Sequence, residues 1–201
     1  MVRPLLPAVD ASGQLREVAF ALLVRDRRPI EVAALAAATG LDPEATREAV
    51  LALAGAGWLD LVGGRVSGAA GLSLATGPHG LTLGDGPYRT WCAYDALGIS
   101  AALATDAAIE AACGQCGEPI RLSFVGGVPD RSGPERLWLA DGGEDLRGSF
   151  CTPTVLLCGD DHGARWAEAQ GGRGRLLDLA EASRAGGRDW AGCAEAARRL
   201  A

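Results

Sequence analysis

Lysine is absent from the chain. All 19 basic residues are arginine, set against 25 Asp and Glu, and the net charge is −6. Phosphate backbones are bound through a basic footprint, so this balance argues against a nucleic-acid partner. No apolar run is long enough to cross a bilayer. The opening stretch, Met1 to Asp10, is broken by Pro4 and Pro7 and is too short for a secretory signal. A cytoplasmic protein with no membrane partner is expected. Cysteine is missing from the early chain: Cys92, Cys113, Cys116, Cys151, Cys158 and Cys193 all lie beyond Thr90. In a reducing compartment such thiols are free or metal-ligating rather than disulfide-bonded. Their confinement hints at a division of labour between two regions.

What is present suffices for a real core, as one domain or two small ones: 201 residues, 48% of them apolar. Gly13 to Arg25 carries Leu15, Val18, Leu22 and Leu23 at helical spacing. A second helix fits Ile30 to Thr39 and ends at Gly40. Asp42 caps a third, with Pro43 at its first position and Leu51, Leu53 and Ala54 as its apolar side. Trp58 to Val62, the turn Gly63-Gly64, and Arg65 to Ser67 read as a hairpin. Three helices and a hairpin describe a winged-helix-like unit. Its third helix offers Glu44, Thr46, Arg47 and Glu48, and Met1 to Val62 holds six Arg against eight acidic residues. A DNA reader shows the opposite balance, so a structural or interface role is expected.

Beyond it, Gly71 to Thr76 and Gly80 to Gly84 read as short strands joined by Gly77-Pro78-His79, with His79 at the surface of the turn, and Asp85-Gly86-Pro87 as a further turn. Ile120 to Val125, Arg136 to Ala140 and the region Phe150 to Cys158 follow as strands, and His162 to Ala169, Arg175 to Ala182 and Arg188 to Leu200 as helices. Cys193 fits a packed helical face. The fold class expected is α+β: a winged-helix-like helical domain over residues 1–80, then a mixed, largely antiparallel sheet domain with helices over 81–201.

Two cysteine-bearing stretches carry chemistry. Thr90 to Ser100 places Cys92 and Asp95 three residues apart in an apolar run, on one face if the segment is helical from Thr90 to Leu103. An apolar wall raises the pKa of both groups and favours a shared proton, an arrangement suited to soft-metal chemistry with proton transfer. The plainer reading is a core thiol beside a capping Asp. Cys113-Gly114-Gln115-Cys116 is a CxxC in a glycine-rich turn, a pair that can form half of a zinc site but alone is a weak signal, since a structural site needs four ligands. Its complement would come from Cys151, Cys158, Cys193 or His162, and there is no second CxxC. Taken alone, Cys151 and Cys158 read as packed thiols, with Cys151 at a strand edge before Pro153.

Trp91-Cys92-Ala93-Tyr94-Asp95-Ala96-Leu97, then Cys113 with Gly117-Glu118-Pro119-Ile120, then Ser149-Phe150-Cys151, together resemble the organomercurial (alkylmercury) lyase family. The order and spacing of these blocks match, and a fainter likeness runs through Trp166-Ala167 and Leu177 to Ala182. The preceding helical domain also matches, winged-helix-like in that family and without a DNA role. The resemblance implies that Cys92 and Cys151 are mercury-binding thiols, that Asp95 is a proton-transferring carboxylate at the same metal, and that Cys113 is structural. It implies an organomercurial substrate, no cofactor, Hg(II) as bound product, and small thiols or a mercuric reductase as its acceptor. Thr152-Pro153 departs from the family pattern, where a second cysteine and then histidines follow. A soft-metal carrier or sensor of the same fold is the alternative.

The chemistry implied is consistent with first principles. Mercury is soft and thiolates match it. A thiol with an ordinary pKa of about 8.5 must lose its proton to bind, and the carbon leaving mercury needs one. Asp95 stands where it can take the first and supply the second.

Overall fold

The computed structural model describes residues 11–201; the stretch Met1 to Asp10 read above for a signal lies outside them. The chain opens with α1 (Ala11–Asp26), α2 (Val32–Thr39) and α3 (Pro43–Gly55). Gly40 ends α2 in the left-handed region, and the Asp42 carboxylate accepts the Glu44 and Ala45 N–H groups to start α3, as the local sequence predicts. The inward face of α3 is Thr46, Val50 and Leu53. Leu51 is exposed instead, because it falls on the opposite side of the turn from that i, i+4, i+7 row.

The hairpin β1 (Leu59–Val62) and β2 (Arg65–Ala69) does not stand apart. It continues through β3 (Leu72–Ser73) into an antiparallel sheet with β4 (His79–Leu83), β5 (Gly86–Thr90), β6 (Ala107–Ala112), β7 (Pro119–Val125) and β8 (Val128–Pro129). The strand order is β1-β2-β3-β5-β4-β6-β7-β8. A smaller antiparallel sheet, β10 (Val155–Leu157), β9 (Arg136–Ala140) and β11 (Gly174–Asp178), carries α5 (Asp160–Ala169). Helix α4 (Ala93–Leu103) is buried along most of its length. It packs on α6 (Leu179–Asp189), while α1 packs on α7 (Ala191–Leu200). A Cβ at Gly186 would stand 2.4 Å from the Gly98 Cα, so the α4–α6 crossing depends on having no side chain there. Among the described residues, no helix is long and apolar enough to cross a membrane.

Four local expectations are corrected. The residues Gly86 and Pro87 begin strand β5, with Pro87 on its exposed face. His79 starts β4 and is buried rather than at the surface; burial first, then the Arg89 charge, lowers its pKa to about 4, so it is neutral. Residues 174–178 are strand β11, because helix α6 begins only where the Asp178 carboxylate caps the Glu181 N–H. Cys151 sits on no strand edge. It ends a π-helical turn, Leu146–Cys151, in which the Thr152 N–H reaches the Arg147 carbonyl five residues back.

Candidate active site

The Cys92–Asp95 pair is built by a helix start rather than by a shared helix face. Cys92 is the extended residue capping α4, and its side chain faces the Asp95 N–H. Asp95, third residue of the helix, returns the bond: its Oδ2 accepts the Cys92 N–H at 2.7 Å. This is a capping box with a thiol in the usual Ser or Thr position. The cap reading of Asp95 is therefore correct, and the same carboxyl is buried beside the Cys92 thiol. The π-helical turn then brings in Cys151, and the Cys92 sulfur, Cys151 sulfur and an Asp95 oxygen lie within 4.8 Å of one another. All three residues are buried. Single-turn π segments recur at functional sites; here the turn ends on Cys151.

Asp95 and Cys151 line a small cavity of about 20 Å³, room for about one water-sized group. Trp58, Trp91, Phe150 and Trp190 surround it with Leu146. The remaining wall is backbone at Ala70-Gly71. Gly71 has φ +90, and a Cβ on it would fall 2.5 Å from the Asp95 Cγ. Only glycine both adopts this conformation easily and leaves room for the carboxyl. The Trp190 indole N–H donates to the Ala70 carbonyl at 2.6 Å and fixes this turn.

Arg147, on the π-helical turn, ties the site to the first part of the chain. Its guanidinium lies 3.2 Å from the Trp91 ring centroid, donates to the Gly57 carbonyl at 2.7 Å and pairs with Asp60 at 2.8 Å. The Trp91 indole N–H meets the other Asp60 oxygen at 2.8 Å. Sequence reasoning missed Arg147, Asp60, Gly71 and Trp190. Arg147 lies two residues before the Ser149-Phe150-Cys151 block that carries the resemblance, outside it. Its partners are remote in the chain.

Electrostatics suit a proton store. Burial pushes the Asp95 carboxyl up to about 6, while the Cys92 N–H and thiol and the Arg147 charge restrain the rise. Burial also raises the Cys92 thiol well above its ordinary value, reinforced by Cys151 and by the Asp95 charge. The resting thiol is protonated, and the Asp95 carboxyl keeps its proton to higher pH than an ordinary carboxyl does. The folded Asp95 holds its proton more tightly than an unfolded one. The stability it contributes is full below the unfolded pKa near 4 and is lost as pH rises through about 6. Asp95→Asn does not ionise and keeps an oxygen for the Cys92 N–H. Relative to wild type it should therefore gain on the order of 2 kcal/mol between about pH 4.5 and pH 8 in urea unfolding. A difference constant across that range would contradict the raised carboxyl.

Cys193 is fully buried in α7, away from the trio. Cys113, Cys116, Cys158 and His162 form a second cluster, so two of the four candidates for completing the CxxC do meet it.

A family model described as MerB, alkylmercury lyase, matches residues 72–192, well over half of the chain. The alkylmercury lyase of Streptomyces lividans is 29% identical over 150 residues, covering 73% of this chain and 68% of that protein. Those of Bacillus cereus and Clostridium butyricum are each 28% identical over 123 residues, 59% of this chain and 56% of theirs. A solved structure described as the mercury-bound form of MerB2 superimposes with a TM-score of 0.81 at 21% identity, covering 92% of this chain and 93% of that one. At that identity the likeness shows a common fold.

Proposed function

The chain belongs to the alkylmercury lyase family, and on that premise we propose that it is an organomercurial lyase whose reacting groups are Cys92, Cys151 and Asp95. The observation that carries the site assignment is the meeting of two thiols and one carboxyl within 4.8 Å, all buried. The substrate arrives as an organomercury bound to a small thiol. One cysteine sulfur replaces that thiol, which leaves with the displaced proton. The second cysteine bonds mercury and gives its proton to Asp95. Added thiolate density weakens the mercury–carbon bond, and its electron pair takes the Asp95 proton to form the new carbon–hydrogen bond. The products are a hydrocarbon and Hg(II) held by Cys92 and Cys151. Aromatic rings line most of the cavity, so the carboxyl is the acid placed nearest the carbon as charge develops on it.

No cofactor takes part in this scheme. Small thiols or a mercuric reductase accept the ion in the cytoplasm. The N-terminal helices and hairpin act as a winged-helix-like unit, its hairpin continuous with the large sheet, that serves the catalytic region instead of nucleic acid. In support, its residues Gly57, Trp58 and Asp60 reach the cavity or Arg147, while α3 carries Glu44 and Glu48 on its exposed side.

The test is turnover of methylmercury with excess small thiol, followed as methane by gas chromatography. Methane in amounts many times the enzyme present is expected. Mercury bound one for one with no methane would remove the lyase assignment.

A further inference from the structure

We infer that Cys113, Cys116, Cys158 and His162 form a structural zinc site, separate from the mercury chemistry and resting on these four side chains rather than on the function proposed above. One ligand atom from each lies within 4.8 Å of all the others. The Cys116 and Cys158 sulfurs are 3.8 Å apart, too far for a disulfide bond, and the Cys113 sulfur is 3.4 Å from the His162 Nδ1. Three sulfurs and one imidazole nitrogen at these separations are the Cys₃His donor set of closed, tetrahedral zinc sites. Oxygen-seeking Ca²⁺ and Mg²⁺ find no ligand in this set.

Each half of the cluster has the local form that holds a thiolate. Cys113 and Cys116 occupy the turn joining β6 to β7. There the Gly117 N–H bonds the Cys113 carbonyl at 2.8 Å, with Gly117 at φ +78, and the Cys113 N–H bonds the Glu118 carbonyl at 2.8 Å. This winding points the backbone N–H groups of Gln115 and Cys116 at the Cys113 sulfur, and that of Cys158 joins them. Cys158 follows β10, and His162 lies in the first turn of α5, a C-x₃-H spacing. The halves are held together without metal by the Gly114 N–H on the Leu156 carbonyl at 2.9 Å.

The position gives the ion a purpose. It fastens the β6–β7 turn of the large sheet to β10 and α5 of the small one. From α5 the Trp166 indole N–H reaches the Pro153 carbonyl at 3.1 Å, two residues past Cys151. The exposed Cys116 is then a ligand, not a stray reactive thiol.

The full-length protein, purified from zinc-supplemented, mercury-free medium, should contain about one zinc per chain by plasma mass spectrometry. Cys92→Ser and Cys151→Ser should keep it, whereas Cys116→Ser and His162→Ala should lose most of it. Independently of any variant, Co(II) added to zinc-stripped wild-type protein should give the intense red-region absorption and near-ultraviolet sulfur charge-transfer band of a tetrahedral thiolate site. A wild-type protein without zinc and without that cobalt spectrum would overturn the assignment. So would zinc lost in Cys92→Ser but kept in Cys116→Ser, or a Cys116–Cys158 disulfide in place of metal.

Discussion

Asp95→Ala should lower carbon–mercury cleavage by about a hundred- to ten-thousandfold, the range for removing a positioned general acid, while mercury binding persists. The alanine also deletes an acceptor, because the Cys92 N–H bonds the Asp95 Oδ2 at 2.7 Å. Some of its loss would therefore come from a loosened start to α4. Asp95→Asn separates the two effects. The amide keeps an oxygen for that N–H but neither accepts the thiol proton nor supplies one to carbon. It should show the same loss of hydrocarbon release with a folded protein. Substantial methane production by Asp95→Asn would assign the proton to water and reduce Asp95 to a cap.

Cys151→Ser and Cys92→Ser should each leave less than about a hundredth of wild-type turnover, because a hydroxyl is a poor match for soft mercury and does not ionise at neutral pH. Their structural costs differ. Cys92 is a helix cap, where serine is at least as good a capping residue, so Cys92→Ser should fold and bind mercury through Cys151 alone. Cys151 ends the π-helical turn and caps nothing, so its loss reports on chemistry directly. Cys193→Ser is the control: that thiol is fully buried in α7, takes no part in the trio, and its substitution should leave turnover largely intact. Full activity in Cys151→Ser would end the two-thiol scheme.

Features written in a few consecutive residues were legible in the sequence. The Asp42-Pro43 start and Gly40 stop lie within a turn of what they control, and the Cys92–Asp95 meeting needs one helix start. Even there, the expected shared face proved to be a capping box. The place of Cys151 beside them depends on how the chain returns from β9, which no local spacing encodes; only the family resemblance pointed to it. The CxxC had the same difficulty. Its complement, Cys158 and His162, is brought across by β10 lying against the β6–β7 turn. Arg147 was invisible because Gly57 and Asp60 are far away in the chain and the salt bridge is between sheet and π-helical turn. His79 was misplaced because Gly77-Pro78 signals a turn and conceals that β4 starts at the very next residue.

The most direct test of two thiols and a buried acid working together is methylmercury turnover in deuterated water, with the gas analysed by mass spectrometry and the protein by mercury content. Protonolysis predicts monodeuterated methane, released in step with Hg(II) bound to a protein that needs both Cys92 and Cys151 to hold it. Methylmercury retained intact on those thiols, with no methane of either isotope, would contradict the account.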